Sequence, residues 1–247
     1  MKINKKSSLN LSHGELQEIF DNIYLVTGAM NIKGRLPLCF SRNMTVIREG
    51  NHLTLINSVR LNEAGLANLE SLGSIKHVIR LAGFHGMDDP FYKERYGARI
   101  WSVNALYFKG VNFNIEIEDG YFRADENIGE STILPVKDAK PVCINTSNPK
   151  ELLIRLEREG GILISGDSLQ NWAEPDQYFN LPAKLMMRVM GFIKPCNIGP
   201  AWYKYSQPDS AELKKICDLK FEHLIPAHGS PVIGNAREKY LPAFNRI

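Results

Sequence analysis

Residues 162–167, Ile-Leu-Ile-Ser-Gly-Asp, and residues 224–229, Leu-Ile-Pro-Ala-His-Gly, are apolar for about the length of a buried strand. Each then reaches a side chain able to hold a metal ion, beside a glycine. Two such strand ends could aim Asp167 and His228 into one cleft. A carboxylate and an imidazole suit a divalent ion that polarises a carbonyl and activates water. Each also has a plainer role: Asp167 could cap a helix opening at Ser168, and His228 could make a structural hydrogen bond at a strand end. Other catalytic patterns fail. There is no G-x-S-x-G elbow, no phosphate-binding G-x-x-x-x-G-K-[ST] and no G-x-G-x-x-G after a strand, and Ser165 and Ser168 have no His and Asp at triad spacing.

The elements that must position these residues alternate between strand and helix. Residues 19–30 read as an edge strand, and 43–48 with 52–57 as a hairpin around Glu49-Gly50-Asn51. Helical spacing of Ala64, Leu66, Ala67 and Leu69 predicts a helix over 63–72, with Asn62 as N-cap and Gly73 at its end. A strand over 77–81 then runs toward His85. Residues 90–96 read as a helix with Pro in its first turn and Gly97 at its end, followed by a strand over 99–103. The second half predicts a strand over 141–146, paired strands over 152–156 and 161–165, and helices over 182–192 and 209–219. Met186, Met187 and Met190 with Leu185 and Val189 form an apolar face suited to core or lid packing. The Gly/Pro-rich stretch 191–202 reads as a flexible wall of the site.

The Gly-Asp and Pro-x-His-Gly strand ends resemble those of the metallo-β-lactamase fold superfamily, in which they supply a bridging aspartate and a last histidine. The resemblance implies an α/β fold, the αββα sandwich, over a single domain spanning 1–247. Its H-x-H-x-D-H signature belongs after the strand at 77–81, where the chain reads Gly83-Phe84-His85-Gly86-Met87-Asp88. In the preferred register, Gly83 and His85 fall on the first two histidines, Met87 on the aspartate and Asp88 on the third histidine. A shift by two would put His85 first and Asp89 on the aspartate. The remaining histidine is expected after the strand at 141–146, where the chain reads Asn145-Thr146-Ser147-Asn148-Pro149.

The resemblance therefore implies a reduced, mononuclear ligand set of His85, Asp88, Asp167 and His228, with Asp167 and Asp88 in the catalytic roles. The ion would be zinc, with iron or manganese as alternatives, unless the site has lost metal altogether. Asp89, Asn171, Trp172 and Trp202 are the candidate substrate contacts, although Asp89 could be only a helix cap and Trp172 a packed core residue. The implied activity is hydrolysis of an ester, thioester or lactone. The alternative is a catalytically inactive member of the fold that binds a small molecule or a protein.

Composition narrows the partners. The 247 residues are 44% hydrophobic and 23% charged, enough to bury a large core. Thirty basic against 27 acidic residues leave a net charge of +3, too balanced to point to nucleic acid. No stretch approaches the roughly 20 apolar residues of a membrane span. Lys2, Lys5 and Lys6 are followed by Ser7, Ser8 and Asn10 where an export signal would be apolar. A small-molecule ligand and a cytoplasmic location are the expectations. Cys39, Cys143, Cys196 and Cys217 form no C-x-x-C pair and should be reduced thiols, the first two as small core residues.

Overall fold

The computed structural model describes residues 12–32, 35–103 and 124–247; the basic cluster at Lys2, Lys5 and Lys6 lies outside them. Where a single strand over 19–30 is expected, two form, β1 (Gln17–Phe20) and β2 (Ile23–Ile32). The break is a tight turn. Asn22 sits at φ 59°, a left-handed conformation that asparagine tolerates, and its N–H donates to the Glu18 carboxylate at 3.0 Å. β3 (Leu38–Glu49) and β4 (His52–Ile56) make the expected hairpin, closed at the Glu49–His52 pair.

A helix, α1 (Glu63–Leu72), then crosses to β5 (Ser74–Arg80), and α2 (Asp89–Tyr96) crosses to β6 (Arg99–Val103). The Asn62 side chain caps α1 by accepting from the Gly65 N–H at 2.9 Å. With β7 (Glu126–Ile128) these strands form one sheet in chain order among the described residues, antiparallel through β4 and parallel from β4 to β7.

The second sheet holds β8 (Ala139–Ile144), β9 (Glu151–Leu156), β10 (Ile162–Ser165) and β13 (His223–Pro226), in the order β13-β10-β9-β8. A third pairing joins β11 (Leu169–Trp172) with β12 (Lys194–Ile198), and β12 occupies part of the stretch 191–202 expected to be a flexible wall. The rest of that stretch begins α4 (Pro200–Ser206). The remaining helices are α3 (Leu181–Val189), α5 (Ser210–Ile216) and α6 (Ala236–Phe244), the last of which had no sequence expectation. Cys39 and Cys143 are half-buried rather than fully enclosed.

Side chains alternate across a strand, and that alternation sorts the core into layers. Ile23, Ile79, Ile154, Ile164 and Ile225 from both sheets share the inner cluster. Their neighbours Tyr24, Val78 and Ile100 face outward beneath Leu66 and Leu69 of α1 and Tyr92 of α2. On the other sheet Leu153, Leu163 and Leu224 face Trp202, Leu213 and Tyr240 of α4, α5 and α6. The result is helix, sheet, sheet, helix. Among the described residues, no helix is long and apolar enough to cross a membrane.

Two asparagines tie the sheets together at the edge where the site lies. The Asn43 side chain donates to the carbonyls of Pro226 at 2.9 Å and Gly229 at 2.6 Å, on either side of His228. Asn57, at the end of β4, donates to the Ser165 carbonyl at 3.1 Å. A buried carbonyl stripped of its donor carries the desolvation cost without compensation. Asn43→Ala is therefore expected to lower stability by about 1–3 kcal/mol, read as a lower urea midpoint at an unchanged slope.

Candidate metal centre

β10 and β13 run parallel in a register that pairs Ser165 with Pro226, so Asp167 and His228 both follow two residues beyond the same sheet edge. β5 ends at Arg80, and the loop after it carries His85 to that edge. Gly229 lets the chain leave His228 sharply: its φ is +89°, and a Cβ there would lie 2.1 Å from the Asn171 carbonyl oxygen. Gly199 permits another close approach, since its Cβ would fall 2.0 Å from the Asp167 carbonyl oxygen.

Three side chains converge. His85 Nε2 lies 3.0 Å from Asp167 Oδ2, and His228 Nε2 lies 3.1 Å from Asp167 Oδ1. One ligand atom from each lies within 4.8 Å of the others. His228 Nδ1 is 3.2 Å from the Ser41 carbonyl, which can only accept, so the ring donates there and turns Nε2 toward the carboxylate. This is the outer-shell arrangement that orients a metal-binding imidazole. The His85 contact is poorly directed for a hydrogen bond, and buried Asp167 Oδ2 has no well-aligned donor.

Burial would raise the Asp167 carboxyl, but the facing His85 and His228 rings outweigh it and hold the group well below the usual carboxylate range. An ionised carboxylate with an unspent oxygen and two imidazole nitrogens fits a divalent ion held by three protein ligands, with open positions for water.

Asp88 lies outside the cluster. Its Oδ2 is taken by the Arg42 guanidinium and by the Arg60 N–H at 2.8 Å. Asp89 is fully buried, accepts the Ser58 hydroxyl at 2.6 Å and is held high by that burial, so neither a pocket contact nor a simple cap describes it. Asn171 is also turned away from the pocket: its side chain donates to the Ser230 carbonyl at 2.8 Å and accepts the Cys196 N–H at 3.0 Å. Trp172 and Trp202 do line the pocket. Trp172 stacks obliquely on His228 with ring centres 5.0 Å apart. The loop where a further histidine is expected is bound elsewhere, the N–H groups of Asn145 and Thr146 donating to Glu212 of α5 at 2.8 and 2.9 Å.

Two residues of the site had no sequence expectation, Arg42 and Glu151. Glu151 opens β9, is fully buried and accepts the Ser168 N–H at 2.8 Å, bracing the turn that presents Asp167. Burial, then the charge of Asp167, push its carboxyl up to about 8, and its Oε2 has no partner. A charged residue heading an apolar strand was the available signal.

A cavity of about 410 Å³ is lined in part by His85, Asp167 and His228. Its walls are mainly apolar and aromatic, with the helix α3 methionines on one side.

Solved structures share this arrangement of layers. The chain is similar to VMB-1 (TM-score 0.62, 12% identity, covering 96% of this chain and 97% of that one). It is also similar to a metallo-β-lactamase from Hirschia baltica (TM-score 0.58, 14% identity, 93% and 97% covered). The chain has the metallo-β-lactamase fold. Another metallo-β-lactamase, FIM-1 from Pseudomonas aeruginosa in its mono-zinc form, matches at a TM-score of 0.58 and 10% identity, with 96% and 95% covered. At these identities the likeness is one of fold. No protein-family model and no curated protein matches the sequence.

Within this metallo-β-lactamase fold, Glu151 gives a pH test. Unfolded, it loses its proton near 4.5; folded, it keeps the proton to about 8. Between those values the folded state binds the extra proton, so the contribution of Glu151 to stability falls as pH rises. Expected, for metal-free protein between about pH 5 and about pH 8, is a wild-type melting temperature that declines relative to Glu151→Gln.

Proposed function

We propose that the chain is a metal-dependent hydrolase in which His85, Asp167 and His228 hold one divalent ion, zinc with iron or manganese as alternatives, beneath a pocket that receives an ester, thioester or lactone. The observation carrying this reading is the Asp167 carboxylate, buried between two imidazoles with Oδ2 lacking a well-aligned donor. When bound, a divalent ion supplies Lewis acidity, polarising a carbonyl and activating water. The chain's own residues do the rest. The Ser41 carbonyl holds His228 in the tautomer that leaves Nε2 facing the site, Trp172 covers one face of that ring, and the Glu151 carboxyl braces the turn behind Asp167. FIM-1, solved in a mono-zinc form, supports a single-ion reading of this fold.

A second reading, an inactive member that binds a small molecule in the same pocket, is favoured by a different observation. Gly83 and Met87 offer no ligand, Asp88 is paired with Arg42, and the 145–146 backbone is held by Glu212.

The two readings separate on metal. Protein dialysed against zinc is expected to retain close to one ion per chain. At a hundredfold excess over Kd, the ion should stabilise the fold by ~2.7 kcal/mol, raising the melting temperature by roughly 5–10 °C. Asp167→Asn should lose both the ion and the rise, together with any esterase activity. Two ions per chain would refute the mononuclear site, and identical melting curves with and without zinc or manganese would favour the inactive reading.

A further inference from the structure

The cavity over the candidate centre is selective in what it offers a ligand. Five of the chain's seven methionines line it: Met30, Met87, Met186, Met187 and Met190. Unbranched thioether side chains adapt their rotamers to a flexible apolar guest. Phe40, Phe84, Phe192, Trp172 and Trp202 complete much of the wall. Among the described lining residues, polar groups are confined to a few positions, chiefly His85, Asp167 and His228. Among the described lining residues the cation is Arg42, which is already paired with Asp88. A ligand body bearing phosphates or carboxylates would gain little here, and would lose its hydration to an apolar surface. A body of methylenes would gain from burial throughout.

From this we infer that the site takes an unbranched, medium-length acyl chain, with the carbonyl at His85, Asp167 and His228 and the chain along the methionine wall. The acyl ester or thioester is the substrate class, and the position of its carbonyl rests on the hydrolase reading above. Size sets the length. At ~30 Å³ for a group the size of water, a cavity of about 410 Å³ holds about fourteen such groups, which accommodates octyl through dodecyl chains with their carbonyl.

The pocket is tested apart from the metal chemistry. Neutral 1-alkanols from butanol to hexadecanol are titrated into the full chain as purified, following the fluorescence of Trp172 and Trp202. Expected is a Kd that falls by about two- to fourfold per added methylene up to decanol or dodecanol, then levels. Two variants, Ala201→Trp, which fills the cavity, and Met186→Gln, which makes the wall polar, should each weaken decanol binding by about tenfold or more. Circular dichroism checks their folding, and a misfolded Ala201→Trp leaves Met186→Gln to decide.

The second arm measures kcat/KM on p-nitrophenyl acyl esters of the same lengths in zinc-loaded protein, and free decanoate is titrated alongside to separate substrate from product binding. A chain-length gradient in binding without hydrolysis would keep the acyl pocket and refute the hydrolase. Hydrolysis with no dependence on chain length, or alkanol affinity that does not change with length, would overturn the acyl-chain inference and leave the hydrolase standing.

Discussion

A carboxylate taken out of water must be compensated, and the placement of Asp167 organises much of the surrounding structure. Left alone, the charge would cost several kcal/mol. His85 and His228 answer it from two separate loops, which is possible because the parallel register of β10 and β13 delivers the strand ends side by side. The backbone around it is packed as closely as backbone allows. Gly199 presses on the Asp167 carbonyl where no Cβ would fit, and Glu151 takes the next N–H. Burial, and then the charge of Asp167, push Glu151 up toward its neutral form, while His85 and His228 hold Asp167 ionised.

Around this polar floor the fold is built from ordinary alternation. The inner faces of the two sheets are filled by isoleucine, leucine and valine, and their outer faces by helices. Polar side chains enter this frame mainly where they satisfy backbone groups at the sheet edge, as Asn43 and Asn57 do. Such ties are stiff because their partners are largely withdrawn from water. They hold the loops carrying Asp167 and His228 in place, a precondition for binding an ion at fixed geometry.

Several positions that resemble metal ligands in sequence have other duties. Asp88 neutralises Arg42, Asp89 is bonded to Ser58, and the backbone of Asn145 and Thr146 is satisfied by Glu212. Each of these groups is engaged by a local partner. What is left over is a compact three-residue centre beneath an apolar cavity, polar at one end and methionine-lined along its side.

The sequence by itself determined what depends on neighbours along the chain. Short apolar runs placed β4, β5, β9, β10 and β13, Asn62 and Gly73 bounded α1, and Asp167, His228 and His85 stood out because each ends a segment beside a glycine. Tertiary structure decided which charges remain available. Whether Asp88 could join the site turned on Arg42, 46 residues away, and the state of Glu151 on its burial and then on Asp167, both set by how strands from different parts of the chain meet. Electrostatic compensation depends on distance in space and on exclusion of water, and neither is encoded in local spacing. The methionine wall belongs to the same class. An apolar helical face is equally suited to core, lid or pocket until packing leaves room beside it.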